Sequence, residues 1–265
     1  MKVLTAVVNN PDFIIMQHAT LRRHFKGDYE FIVFNDAKSW AEFSNFDDPT
    51  TKSCIEETCK ALGIRCINIP NEHHRHMSDP AIRCADAHNY ILKWQLANPD
   101  QYLVIDSDMF LIADVAPQAA FGDNCCAAVF PQYRSTVTYI HSGIYWFDIP
   151  KMPRHDLLNW DCCLSGIKTD VGGMMQHWLA TAAPPVRHIV AHTSGEWTNA
   201  DWSKGSPQLM RFLSADPRNP KNGRYFCEIY DDAWLHYRSG GNWQREGAAM
   251  HRDLTMRLKA ILMNQ

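Results

Sequence analysis

The chemistry this sequence offers rests first on three side chains. Asp106 and Asp108 stand on either side of Ser107 after the strand-forming run Gln101-Tyr-Leu-Val-Ile105. His236 comes late in a second apolar run, Ala233-Trp-Leu-His-Tyr237. A buried strand that ends in two carboxylates carries a large desolvation cost unless their charge is compensated. Side chains alternate along a strand, so Asp106 and Asp108 are expected to aim together with Ser107 turned aside. A divalent cation between them removes their repulsion, and oxygen ligands of this type suit manganese or magnesium. His236 as a neutral third ligand leaves such a centre without net negative charge, whereas a third carboxylate would repel a phosphate. A centre of this kind can bind a diphosphate and stabilise it as a leaving group. An isolated Asp-x-Asp is usually a solvated turn, and a single strand-end histidine is usually structural. The apolar residues on both sides of the pair, with Phe110-Leu-Ile112 following, argue against a plain surface turn.

The elements that must position these groups alternate. Val3 to Val8 reads as a strand closed by Asn9-Asn10-Pro11, and Phe13 to Phe25 as a helix. Tyr29 to Phe34 is a second strand, Thr51 to Leu62 a helix stopped by Gly63, and Ile64 to Ile69 a short strand. That succession predicts an α/β fold with a mostly parallel sheet flanked by helices. Ser78 is expected to cap the next helix, with Asp79 and Pro80 in its first turn. Ile82, Ala85, Asn89, Leu92 and Leu96 form its buried stripe. Arg83 and Lys93 lie off that stripe, and the Asp-Ser-Asp strand follows directly. Strands are also expected at Cys125 to Phe130, at Tyr139 to Phe147 and at Ala233 to Tyr237. Gly143 inside the second of these marks a close approach. Met174 to Ala183 and Ala248 to Leu262 read as helices, and His192 to Pro207 as a polar loop.

The chain of 265 residues is 46% apolar and 21% charged, enough to bury a sizeable core. A net charge of -3 without a long basic block predicts no nucleic-acid partner. No signal peptide and no uninterrupted apolar run long enough to span a bilayer are read from it. Nine cysteines without a C-x-x-C fit reduced thiols, hence a cytoplasmic protein, better than a disulfide framework or structural zinc. The closing helix could rest on a membrane surface, although packing on the domain suits its mildly basic polar face better.

The sequence resembles the GT-A glycosyltransferases, nearest the glycogenin-like and bacterial galactosyltransferase-like retaining enzymes. The resemblance is carried by the helix with Arg83 and Lys93, by Asp106-Ser107-Asp108 in place of the family's D-x-D, and by His141-Ser142-Gly143 in place of its N-S-G. Leu235-His236-Tyr237 followed by Gly240-Gly241-Asn242-Trp243 resembles its H-[FY]-x-G-x-x-K-P-W, and Asp170-Val171-Gly172 loosely resembles its D-Q segment. The resemblance implies a single GT-A domain. Residues 1–115 would form the nucleotide-sugar half, 116–247 the acceptor and metal half, and 248–265 a C-terminal helix. It implies a metal-dependent transferase using a nucleoside-diphosphate sugar, UDP-linked by expectation, and a glycan or glycoconjugate acceptor. Manganese, or magnesium, would sit on Asp106, Asp108 and His236. Val7, Asn9 and Phe13 would lie near the base. Arg83, Lys93, Ser107, Gly240, Gly241 and Asn242 would lie near the phosphates or the sugar, and Asp170 and His141 would be the catalytic candidates. His141 replaces the family's asparagine, Val171 its glutamine, and Gly241-Asn242 its Lys-Pro. Retention of stereochemistry is the expectation. An inverting enzyme would need a carboxylate base, for which Asp148, Asp170 and Glu196 are available.

Trp197 and Trp202, with Glu196, Asn199 and Asp201, suit a sugar acceptor, because rings lie under sugar faces and polar groups meet hydroxyls. Glu72-His73-His74-Arg75-His76 reads as a solvated loop, since adjacent histidines on a short segment cannot converge on one ion. A haloacid-type phosphatase would need a threonine where Phe110 stands. A sugar-nucleotide nucleotidyltransferase would need a glycine-rich basic loop where Asn9-Asn10-Pro11-Asp12 stands. A non-catalytic carbohydrate-binding protein would account for the tryptophans but not for the buried carboxylates.

Overall fold

The structure, a computed structural model, describes residues 1–37, 50–70, 79–191, 205–219, 226–238 and 248–264. The tryptophan segment with Glu196, Asn199 and Asp201, the run Glu72 to His76, the expected cap Ser78, and Gly240 to Trp243 lie outside the described residues.

The first half alternates as the apolar patterning requires. Strand β1 (Lys2–Val7) leads into helix α1 (Pro11–His24), β2 (Glu30–Asn35), α2 (Thr51–Leu62), β3 (Arg65–Asn68), α3 (Pro80–Ala97) and β4 (Gln101–Asp106). α1 starts where Pro11 takes the first helical position and the Asn10 side chain accepts from the Asp12 N–H. α2 stops at Gly63, which adopts the left-handed conformation at φ 68°. The cap of α3 is Asp79, whose carboxylate accepts from the Ala81 N–H at 2.8 Å, with Pro80 opening the helix.

After β4 come β5 (Met109–Leu111), α4 (Pro117–Phe121), β6 (Ala127–Arg134), β7 (Val137–Asp148), α5 (Met175–Ala182), β8 (Val186–His188), α6 (Pro207–Ser214), β9 (Glu228–Tyr230), β10 (Trp234–His236) and α7 (Ala248–Met263). The main sheet has seven strands in the order β3-β2-β1-β4-β7-β6-β8. Its β3-β2, β2-β1, β1-β4 and β6-β8 pairs are parallel, and β7 runs antiparallel to both β4 and β6. The α/β expectation with a mostly parallel sheet is met. Apolar clusters cover both faces: Val3, Val33, Leu103 and Trp146 on one, and Leu4, Ile32, Val104 and Tyr145 on the other. This is the burial that continuous apolar strands demand.

One expectation needs correction. The strand alternation expected across Asp106, Ser107 and Asp108 does not run through the pair. β4 ends at Asp106 in the main sheet, the chain turns at residues 107–108, and β5 joins a separate three-stranded sheet ordered β5-β10-β9. α4, β8, α6 and β9 were not expected; α4 has five residues, and β8 and β9 three each, too few to leave a periodic signal.

Candidate metal centre

The centre forms where the two sheets meet. β4 delivers Asp106 at its carboxyl end, beside Ala6 of β1, the position at which open α/β sheets bind ligands. β10 pairs antiparallel with β5, with His236 opposite Met109. The residue after His236 donates its backbone N–H to the Asp108 carbonyl at 2.8 Å. Gln17 of α1 holds the other side of the turn, its amide donating to the carbonyls of Asp106 at 2.8 Å and Met109 at 3.1 Å. The turn is thus clamped from α1 and β10.

Asp106, Asp108 and His236 each present one donor atom, and these atoms lie within 4.8 Å of one another. His236 Nε2 is 3.5 Å from Asp108 Oδ1. Burial raises the Asp106 carboxyl above its ordinary range, and the neighbouring Asp108 charge adds to this while His236 partly offsets it. Burial disfavours charge on His236 as well, yet Asp108 and Glu228 outweigh it and push the imidazole up to about 10. Two repelling carboxylates and an imidazole nitrogen within one small volume fit a divalent cation, which would replace the proton as the compensating charge.

Two further imidazoles flank Asp106. His88 Nε2 lies 3.9 Å from Asp106 Oδ1, and burial lowers that ring to about 4. His141 is lowered to about 3 by burial, with a smaller contribution from His236. Its Nδ1 meets the Gln132 amide at 3.3 Å, and its buried Nε2 has no hydrogen-bond partner among the described residues. Gly143 makes room for this arrangement. A Cβ there would stand 2.6 Å from His141 Nε2 and 2.9 Å from Asp106 Oδ2. The close approach at this glycine is made by two side chains, not by the ligand or backbone that a strand glycine suggests.

The structure places the other expected residues unevenly. Ser107 is half-buried in the turn itself. Arg83 is buried in the first turns of α3 and engaged by Asp36, with its NH2 group 3.1 Å from the Asp36 carbonyl and Nε 3.5 Å from Oδ2. Val7 is fully buried at the end of β1 and Asn9 half-buried just beyond it. Phe13 is fully buried with its ring edge-on to Phe110, centroids 5.6 Å apart, so it lies beneath the turn and offers no free face. Lys93 is not brought to the centre. It is exposed and sits about 15 Å further along α3 than Arg83, toward the opposite end of the sheet.

Asp170 is exposed on a loop whose negative charge reaches Asp106. That loop is tied to α3 through Asn89, which accepts from the Trp160 N–H at 2.8 Å and donates to Asp161 Oδ1 at 2.7 Å. Gly172 turns it at φ 82°, where a Cβ would meet the Ile140 carbonyl at 2.2 Å.

Gln17, His88 and Glu228 escaped the reading of the sequence. The first two leave a faint signal, as polar residues on the core-facing side of amphipathic helices. Glu228 leaves none, because only strand pairing brings it to His236.

No family model matches the chain, and no curated protein sequence does. Among solved structures, the chain is similar to the galactosyltransferase LgtC in complex with donor and acceptor sugar analogs, at 14% identity over 96% of this chain and 95% of that one, with a TM-score of 0.47. It is similar to a mannosyltransferase from Pyrobaculum calidifontis in complex with GDP-Man and Mn2+, at 14% identity and TM-score 0.40, covering 71% of this chain and 53% of that one. Mouse xyloside xylosyltransferase 1 is similar at 8% identity and TM-score 0.39, covering 71% of this chain and 84% of that one.

Proposed function

We propose that the protein is a metal-dependent glycosyltransferase that moves a sugar from a nucleoside-diphosphate sugar, read as UDP-linked, to a hydroxyl of a glycan or glycoconjugate. The observation that carries this reading is the convergence of Asp106, Asp108 and His236, from two different sheets, with donor atoms within 4.8 Å of one another. The cation they would hold is read as manganese, with magnesium as the alternative, and when bound it would neutralise the charge that develops on a departing diphosphate.

The protein's own groups divide the remaining work in this reading. Residues 1–115 form the donor half, with Val7 and Asn9 beside the base and Phe13 supporting them from below. Arg83, at the start of α3, and Ser107, in the turn, line the phosphate end; Gly240, Gly241 and Asn242 are given the same phosphates on the sequence resemblance alone. Residues 116–247 supply His236 and the acceptor side, and 248–265 closes the domain. Asp170 faces the reacting sugar from its exposed loop. His141, held neutral, offers an Nε2 that has no partner among the described residues next to Asp106 without adding a positive charge. Retention of stereochemistry is the reading for this pair. None of the described helices is long and apolar enough to cross a membrane. With nine free cysteines, we read a cytoplasmic enzyme.

The test is ligand linkage. Manganese with UDP should raise the melting temperature, because ligand at about a hundredfold over Kd adds roughly 2.7 kcal/mol to stability. Asp108→Ala should fold and lose that shift; an undiminished shift in the variant removes the metal assignment. A panel of nucleotide sugars, scored for transfer or slow hydrolysis, should then identify the donor. Turnover of simple phosphomonoesters instead would make the protein a phosphatase.

A further inference from the structure

We propose that Glu228 is a positioning residue of the metal centre, holding the His236 ring through Nδ1 so that Nε2 stays turned toward the two aspartates. The inference rests on the metal-centre reading above and extends it to a residue outside the ligand set.

The β9-β10 register places Glu228 directly opposite His236, and opposed residues in an antiparallel pair put their side chains on one face about 5 Å apart. Glu228 Oε2 lies 3.5 Å from His236 Nδ1, while the other ring nitrogen is 3.5 Å from Asp108 Oδ1. The two nitrogens are therefore divided, one facing the carboxylate of β9 and one facing the ligand cluster. Nδ1 is buried and makes no hydrogen bond among the described residues; the Glu228 carboxylate at 3.5 Å faces it at ion-pair distance. Glu228 is itself held from behind. The Tyr230 hydroxyl, two residues along the same face of β9, donates to Oε2 at 2.7 Å, and Arg238 stands 3.3 Å from Oε1.

A carboxylate buried this deeply is costly unless its lone pairs are used. Here one oxygen is anchored to arginine, and the other accepts from a phenol and stands 3.5 Å from the imidazole Nδ1. A neutral imidazole that gives its Nδ1 proton to a carboxylate has its lone pair on Nε2, the nitrogen that faces Asp108. Without that acceptor, the other tautomer competes and the ligand atom is lost for part of the time. Removing outer-shell partners of metal-bound histidines typically weakens metal binding by about 10–100-fold.

The experiment is Mn2+ binding to the full chain, followed through the free-ion paramagnetic resonance signal. It is paired with 15N spectra of the histidines in the presence of diamagnetic Mg2+. Glu228→Gln is expected to weaken Mn2+ binding about 10–100-fold and to lose the single Nδ1–H form of His236. Tyr230→Phe, which leaves the carboxylate in place but frees its orientation, is expected to weaken binding less. If Glu228→Gln failed to fold, the Tyr230→Phe variant would carry the same comparison. Binding within twofold of the wild type in both variants, with the His236 tautomer unchanged, overturns the assignment of Glu228. A wild-type chain that binds no Mn2+ overturns the metal centre itself, and is told apart because it fails before any variant is compared.

Discussion

Gly143 shows how narrow the tolerances are around the two aspartates. The space its missing side chain leaves is bounded by His141 Nε2 and Asp106 Oδ2, so a methyl group there must displace one or both. Overpacking of this sort typically costs about 1–3 kcal/mol, which a domain of this size can survive. Gly143→Ala should therefore still fold, with Mn2+ affinity reduced by at least about tenfold, equivalent to 1.4 kcal/mol. An isothermal titration giving wild-type affinity in this variant would show that the Asp106 carboxylate is not used in the position observed. The residues that converge here were legible from the sequence: the paired aspartates, the strand-end histidine and the glycine beside them. Their immediate supports were not. Glutamine, histidine and glutamate at positions 17, 88 and 228 look like any polar residues until a neighbour distant in sequence meets them.

At the scale of elements, the centre depends on two small devices. The first is the β5-β10-β9 sheet, which brings a residue more than a hundred positions away to the end of β4. The second is the contact between α3 and the loop carrying Asp170. Asn89 spans that contact with two hydrogen bonds, one in each direction. Truncating it leaves the Trp160 N–H without its acceptor. The cost should be about 1–3 kcal/mol. Asn89→Ala should lower the urea midpoint accordingly and speed amide exchange across residues 159–174, while Mn2+ binding stays near wild type because Asn89 touches no ligand. Loss of Mn2+ binding in this variant would mean that the loop supports the aspartates as well as Asp170. Helix periods and caps are local properties, which explains why α1, α2, α3 and α7 were readable within a few residues. β5 and β9, three residues each, hold too little pattern to be seen alone. Their existence is a consequence of pairing with β10.

At the scale of the whole molecule, α7 closes the structure by packing against α1 and α6. Leu254, Leu258 and Leu262 join Phe13, Phe110 and Leu235 in one buried cluster. Arg23 of α1 donates to the Leu262 carbonyl at 2.8 Å, and Lys259 reaches Asp12 at 2.6 Å. This cluster lies under the Asp-Ser-Asp turn and under β10 together, so it supports both sides of the centre. Leu258 is fully buried, and Leu258→Ala should cost about 2–5 kcal/mol, read as a fall in the urea midpoint with an unchanged slope. A loss below about 1 kcal/mol would show that α7 is an appendage rather than part of the core.

The sequence by itself determined the alternation of strands and helices, the placement of the paired carboxylates at the end of an apolar strand, and the kind of ion they suit. These follow from periodicity and from the chemistry of side chains, which need only near neighbours. The tertiary structure alone decided that the run from Gln101 to Ile112 divides between two sheets, that His236 meets Asp108, that Glu228 stands behind His236, and that Lys93 lies toward the far end of α3. Each of these depends on strand register and on where a helix points along the sheet. Those are set by burial summed over the whole core rather than by any short stretch of chain.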